Sequence, residues 1–428
     1  MQDAALRLKS LVEQLLGAPL PLRIRAWDGS EAGPPAAPVL VVRNRRAVRR
    51  LLWKPGELGL ARAWVAGDLG VEGDLYAALD LMSGLLWERG EDARGVGEAL
   101  RDSEVRAALR GLVKLAGPLP PAPPAEEVRR RRHLHTKRSD RRAISHHYDV
   151  GNDFYEIVLG PSMVYSCAYW EDDGTLEDAQ RDKLELIARK LDLKPGQRLL
   201  DVGCGWGSMA IHAAREHGVS VVGVTLSQEQ AAYARKRVAD EGLTDRVEIR
   251  VQDYRDVADG PYDAISSIGM AEHVGAERYL EYAETLRRLL RPGGRLLNHQ
   301  IARPPRRDES AYHVDEFIDA YVFPDGELAP VGTTVTQLER AGFEVRDVES
   351  IREHYALTLR RWVANLEEQW TRAVRLTSPG RARVWRLYMA ASALAFEHNR
   401  IGVNQVLAVR TPEASGASGM PLRARDWN

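Results

Sequence analysis

A chain of 428 residues exceeds one ordinary hydrophobic core, so two or three folding units are expected. Hydrophobic residues at 44% and charged residues at 28% exclude a disordered or fibrous protein. With 60 Lys and Arg against 61 Asp and Glu, the net charge of -1 names no class of partner, and two cysteines, Cys167 and Cys204, exclude a disulfide framework and fit a reducing, cytoplasmic setting.

The opening MQDAALRLKSLVEQLL has polar interruptions where a secretory signal needs a continuous apolar run. No stretch approaches roughly 18 uninterrupted apolar residues either, so any work on a membrane is expected from its inner surface. Leu8, Leu11, Val12, Leu15 and Leu16 recur at helical spacing, which predicts an amphipathic helix packed on a core rather than laid on lipid. VLVVRN from Val39 reads as a strand, RAVRRLLW and LGLARAWVAG as helices, and GDLGVEGDLYAALDLMSGLLW as a turn-rich strand and a helix. Together they predict a smaller N-terminal α+β domain over residues 1–116.

The run GPLPPAPP, residues 117–124, has five prolines in eight positions and marks a linker, taken to extend to residue 145. Residues 129–142 carry eight Lys or Arg opposed only by Asp140. Such a run is either a solvated charged stretch or a patch for an anionic lipid surface, which attracts basic residues at about 1 kcal/mol each. Nucleic acid is the weaker reading, because no base-reading module accompanies the charge.

From Lys194 onward apolar strands alternate with helices, the pattern of a parallel α/β sheet covered on both faces. RLLDV, VSVVGV, VEIRV, YDAISSI and GRLLNHQI are the strand candidates, with SMAIHAAREHG, SQEQAAYARKRVADEG and AERYLEYAETLRRLLRPGG as helices between them. EVRDVESI and, after two long helical stretches, GVNQVLAVR are expected to pair at one edge. A second, larger domain is placed at residues 146–410, with 303–342 as a lid over it and 411–428 as a disordered tail.

LLDVGCGWGSMAIHAA puts Asp201, Gly203, Gly205 and Gly207 at a strand-to-helix junction, where glycine lets the backbone approach a ligand at the end of the sheet. A dinucleotide site expects G-x-G-x-x-G and an acidic residue about 20 positions on. Here the second strand runs into GVTLSQEQ instead. DVGCGWGS, VVGVTLSQEQ, QDYRD, GMAEHVG and YSCAYW resemble the motifs of cyclopropane fatty-acid synthases and mycolic-acid methyltransferases, across residues 146 to 410. LGLARAWVAGDLGVEGDL is similar to the extra domain of the phospholipid-modifying members. The resemblance implies a class I Rossmann-like methyltransferase with a seven-stranded, mostly parallel sheet. It also implies S-adenosylmethionine held by the glycine loop, Thr225, Leu226 and Gln230 around its ribose and amino-acid part, Asp253 and Tyr254 by its adenine, and Tyr165 with Ser166 closing over it.

The same resemblance implies methyl transfer to the double bond of an unsaturated phospholipid acyl chain, leaving a carbocation that a bound bicarbonate deprotonates. Its holders would be the backbone amides of Cys167 and Ile301 with the side chains of Glu272, His299 and Tyr355. Loss of a proton from the new methyl closes a cyclopropane, whereas a hydride shift gives a 10-methylene chain, and no residue decides between them. Many members carry a cysteine where this chain has Ser392, so a covalent cysteine mechanism is not expected here. Tyr148, Phe154, Tyr169 and Trp170 are candidates to face the cation. Relatives suggest a homodimer, but nothing in the chain itself shows one. No metal-ligand spacing stands out: His146 and His147 are adjacent, and the H-x-H at 133–135 lies in the basic run. Two other classes remain, a small-molecule N-methyltransferase and a lipid-binding protein without catalysis; the N-terminal domain and intact glycine loop argue against them.

Overall fold

The computed structural model describes residues 3–16, 18–87, 103–128, 150–172, 174–309, 312–324 and 326–423. The basic run 129–142, His146, His147 and Tyr148 lie outside the described residues, as do residues 424–428. The chain forms two compact units.

The first unit holds the N-terminal segment together with residues 315–322 and 377–394, so the chain returns to it twice. Its small sheet has the order β2-β1-β3-β4, built from β1 (Arg23–Arg25), β2 (Glu31–Ala32), β3 (Val39–Val42) and β4 (Leu69–Glu72). The helix Ala4–Leu16 buries Ala4, Ala5 and Leu8 in this core and lays Leu11, Val12, Leu15 and Leu16 against it, the packed alternative expected from its spacing. Asn44 caps the helix Arg45–Trp53 by accepting from the Arg46 amide. From that helix Arg50 bonds buried Asp68 at 2.9 Å and the Ala122 carbonyl at 2.7 Å, while Trp53 donates to the Pro118 carbonyl at 2.8 Å. The proline-rich run is therefore strapped along the helix. Proline supplies no amide donor, but its carbonyls remain good acceptors.

The second unit is built on a seven-stranded sheet of order β10-β11-β9-β8-β5-β6-β7. Its strands are β5 (Arg198–Val202), β6 (Ser220–Thr225), β7 (Val247–Val251), β8 (Tyr262–Ile268), β9 (Leu290–Ala302), β10 (Glu344–Ser350) and β11 (Gly402–Val409). Only β11 runs against its neighbours: it pairs antiparallel with both β9 and β10, as the edge reading expected. Alternation along β5 sends Leu199 to one apolar layer and Leu200 and Val202 to the other. Helices Leu176–Leu191, Ser208–His217 and Gln228–Asp240 fill the first layer, Tyr279–Leu289 and Val331–Arg340 the second.

Three expectations are corrected. The helix read through to Gly294 ends at Leu289, because Leu290 already pairs with Tyr262 and Pro292 cannot continue a helix. The stretch 303–342 is not one lid, since 315–322 belongs to the first unit and Val331–Arg340 buries Leu338 beneath the sheet. The tail is anchored rather than loose over 411–423: Thr411 donates to Glu344, the Gly419 carbonyl accepts from Arg295, and Met420 packs on the core.

One buried ion pair ties helix to sheet. Lys190, with no exposed side-chain surface, bonds Glu349 of β10 at 2.5 Å, with Asp347 at 3.6 Å. Glu349→Ala is expected to cost about 3 kcal/mol, because it strips a buried charge of its closest partner. Urea unfolding of the variant against the parent checks this.

Candidate active site

The loops after β5, β6, β7 and β8 converge on a cleft of about 1200 Å³, counting its open mouth. It lies where the strand order reverses between β5 and β8, the crevice that open α/β sheets leave for a ligand. Tyr165, Ser166, Asp201, Gly203, Gly205, Thr225, Leu226, Gln230, Asp253 and Tyr254 all line it. Gly207 does not: it sits at the N-cap of Ser208–His217 with φ 83°, and a Cβ there would stand 3.1 Å from Ala234. Its role is close packing of two helices.

Each lining group has a definite setting. Asp201 accepts from Ser266 at 2.7 Å through one oxygen, while the other is buried without a partner, and burial pushes its carboxyl up to about 6. Thr225 donates to the Gln230 oxygen at 2.9 Å. Asp253 is gripped through both oxygens by Arg255, at 2.8 and 2.7 Å, so it is no plain surface turn acid. The Tyr165 ring packs between Tyr155 and Trp362.

Of the expected catalytic group, Glu272 and Ile301 meet directly: the Ile301 amide donates to one Glu272 oxygen at 2.8 Å. That amide is therefore spent on the carboxylate. The second Glu272 oxygen is buried and unpartnered, and burial raises the carboxyl to about 7. His299 shares the Ile301 face of β9, is buried, and has a Gln405 amide nitrogen 3.4 Å from its Nδ1. Burial and the charges of Lys183 and Lys190 push its pKa far down, so it is neutral. Tyr355 packs against Phe396 and Trp362, and Cys167 donates to the Ala168 carbonyl at 3.1 Å. The Ala168 amide bonds Thr358 on the helix Arg352–Glu368, which also bears Tyr355. Phe154 is fully buried core, and Tyr169 and Trp170 are engaged with His354 and Thr358 away from the lining, so these three do not form the aromatic cradle expected.

Sequence reading missed Lys183. It is fully buried in the cleft wall, donates to Ser166 at 3.0 Å, and is pushed down to about 8 by burial. Its charge acts on Cys167, Asp201 and His299, linking the two groups of residues. The signal was present: Ala179, Lys183 and Ile187 are spaced along one helical face, so a lysine stands on an apolar stripe. Met270 and His273 line the cleft as well, His273 held neutral by burial that lowers it to about 4.

Burial raises both thiols well above their usual range, so neither is a nucleophile at neutral pH. In the native protein both are expected to resist a disulfide reagent, and to react together on unfolding. Fast native-state labelling of either one would contradict this.

Sheet order, glycine turn and cleft define a class I S-adenosylmethionine-dependent methyltransferase. The mycolic acid cyclopropane synthetase family matches residues 135–406. The chain belongs to that family. It is 46% identical to a probable fatty acid methyltransferase of Mycobacterium tuberculosis, over 94% of each chain. It is 41% identical to the cyclopropane-fatty-acyl-phospholipid synthase of Escherichia coli, over 62% of this chain and 67% of that one. The crystal structure of a mycolic acid cyclopropane synthase complexed with S-adenosylhomocysteine superposes with a TM-score of 0.59 at 34% identity, covering 63% of this chain and 97% of the other.

Proposed function

We propose that the enzyme transfers the sulfonium methyl of S-adenosylmethionine to the double bond of an unsaturated phospholipid acyl chain and closes a cyclopropane. The supporting observation is the buried Glu272, with one free oxygen, in the same turn as the cleft-lining Met270 and His273. An alkene is a poor nucleophile, so alignment and exclusion of water do most of the work. The π pair attacks the methyl carbon, the methyl–sulfur bond breaks, and the sulfur leaves as neutral S-adenosylhomocysteine. The resulting cation loses a proton from the new methyl as the ring closes.

Bicarbonate, when bound, would supply the base. The chemistry of these residues suits such an anion: the free Glu272 oxygen would accept from an O–H, and neutral His299 and the Tyr355 hydroxyl would hydrogen-bond it. With the Ile301 amide committed to Glu272, the Cys167 amide is the backbone donor left for this set. Around the methyl donor, Asp201 offers its unpartnered oxygen to a cationic group and Gln230 its amide.

A second product is supported by the full-length relative, which is named a fatty acid methyltransferase rather than a cyclopropane synthase. After the same transfer, a hydride shift and proton loss give a methylene branch. Incubation with S-adenosylmethionine and oleoyl phospholipid vesicles, with and without NADPH, followed by mass spectrometry of the acyl methyl esters, separates the two. A product one CH₂ heavier that resists hydrogenation supports ring closure, while a hydrogenatable one supports methylenation. Unchanged lipid with intact cofactor binding overturns both and favours an amine acceptor.

Among the described residues no helix is long and apolar enough to cross a membrane. Access to the acyl chain is proposed to be peripheral, through the basic run 129–142 on anionic lipid. Neutralising that run should weaken activity on anionic vesicles more than on detergent-dispersed lipid, and equal losses would remove the idea.

A further inference from the structure

Outside the cleft, two helices of the second unit bring three metal-binding side chains to one point. Glu185 lies on Leu176–Leu191, His212 and His217 on Ser208–His217. Both imidazoles aim Nε2 at the same carboxylate oxygen, Glu185 Oε2, at 3.1 Å for His212 and 2.9 Å for His217. The three donor atoms lie within 4.8 Å of one another.

From this convergence the geometry points to a divalent-cation site of the Zn²⁺ class, with Glu185, His212 and His217 as its protein ligands. Zinc bonds to nitrogen and oxygen of about 2.0–2.1 Å in a tetrahedron put neighbouring ligand atoms about 3.3 Å apart. The two measured edges are a few tenths of an ångström shorter and the His212–His217 edge is bounded at 4.8 Å, so a cation entering between the donors needs side-chain adjustments of about an ångström or less at each ligand. A two-imidazole, one-carboxylate set suits zinc better than calcium or magnesium, which prefer all-oxygen cages. Arg189 stands 3.5 Å from the other Glu185 oxygen, an ion pair that leaves Oε2 to the two imidazoles. His212 is 5% exposed, but His217 at 18% and Glu185 at 33% leave the site open to solvent on one side, where a water can complete four ligands.

The two helices that supply the ligands also supply Lys183, Leu184, Ser208 and Met209 to the cleft wall. A bound cation would therefore staple together two walls of the methyl-donor site while touching neither substrate. This is a structural and tuning role, independent of the product formed and of the chemistry proposed for Glu272.

The test uses tag-free, full-length protein stripped with a chelator. Zinc is titrated in competition with a chromophoric chelator, and cobalt is added to a second sample to read its visible spectrum. One equivalent of zinc should bind more tightly than micromolar, with the intense visible bands of four-coordinate cobalt and a higher melting temperature. His217→Ala, at the more exposed of the two imidazole ligands, should fold, lose the zinc-induced rise in melting temperature, and bind about a hundredfold more weakly, since loss of even a group that only hydrogen-bonds a ligand costs 10- to 100-fold. A variant with His133, His135, His146 and His147 all replaced by Asn should keep the full affinity. Binding no tighter than micromolar in the parent overturns the site and leaves a hydrogen-bonded His–Glu–His cluster. Unchanged affinity in His217→Ala, or loss of the tight equivalent in the four-histidine variant, also overturns it.

Discussion

Glu272→Gln is expected to lower turnover by about 10²- to 10⁴-fold, the usual worth of a positioned proton-transfer group, while leaving S-adenosylmethionine affinity within a few fold. The carboxamide can keep its oxygen on the Ile301 amide, so the local backbone is preserved. It then presents an NH₂ donor where the wild type has a buried, unpartnered acceptor oxygen. An O–H that must be accepted there meets another donor instead. The residues proposed to hold the cofactor are others of the cleft, which is why binding should survive.

The same residue predicts a pH dependence. Its carboxyl is raised from an ordinary 4.5 to about 7, so the accepting, ionised form fills in as pH rises, and turnover should climb to a plateau above about pH 7. The stability sign is opposite. A folded-state pKa above the unfolded one means the cost of burying the charge is absent below pH 4.5, grows between 4.5 and about 7, and is fully present above that. Glu272→Gln removes that cost, of order 3 kcal/mol at 1.36 kcal/mol per pKa unit. The inactive variant should melt no lower than the parent at pH 8. Isothermal titration with S-adenosylmethionine, turnover against pH and melting curves together check this. Lost cofactor affinity would move Glu272 out of the proton-handling role and into contact with the cofactor.

Gly205→Val is expected to weaken S-adenosylmethionine binding roughly a hundredfold or more, about 2.7 kcal/mol, in a protein that still folds. Gly205 sits at φ 53°, and a Cβ there meets nothing closer than the Gln230 amide at 4.0 Å. The new side chain therefore stands in the open cleft, where it competes with the ligand instead of colliding with the core. Left-handed backbone adds about 1–2 kcal/mol of strain for an L-residue, and a β-branched one is the least tolerant. Gly207→Val is the informative comparison. It should destabilise the fold through contact with Ala234 and affect binding only as a consequence. Near-normal binding in Gly205→Val with an intact melting curve would contradict a glycine turn wrapped on the methyl donor.

The catalytic unit was legible because its strands are short apolar runs bounded by glycine turns, and a parallel sheet buried on both faces writes itself as such runs. RLLDV followed by GCGWG announces both the central strand and the glycine turn that lines the cleft. The end of the last crossover helix was misread because Arg291-Pro292-Gly293-Gly294 looks like a helix stop, whereas pairing of Leu290 with Tyr262 starts the strand earlier. The burial of Lys183 is not legible in the sequence because a lysine in a helical stretch normally faces water, and only packing of that helix under the cleft buries it. The extent of a lid is illegible for a similar reason: an amphipathic segment such as Val331–Arg340 does not say which surface its apolar face will cover.

By itself, then, the sequence determined the elements whose physics is local: the strand and helix periods, the glycine turn, the strapping proline run as a break in regular structure, and the motifs in which Glu272, His299 and the cleft-lining residues stand. Tertiary structure alone decided what depends on long-range approach. It placed Ile301 on Glu272, emptied the acceptor beside it, buried Lys183 against Ser166, sent Gly207 into helix packing, returned residues 315–322 and 377–394 to the first unit, and gathered Glu185 with His212 and His217. The physical reason is that hydrogen-bond satisfaction and desolvation are properties of a neighbourhood, and residues tens of positions apart become neighbours only when the sheet and its helices close around them.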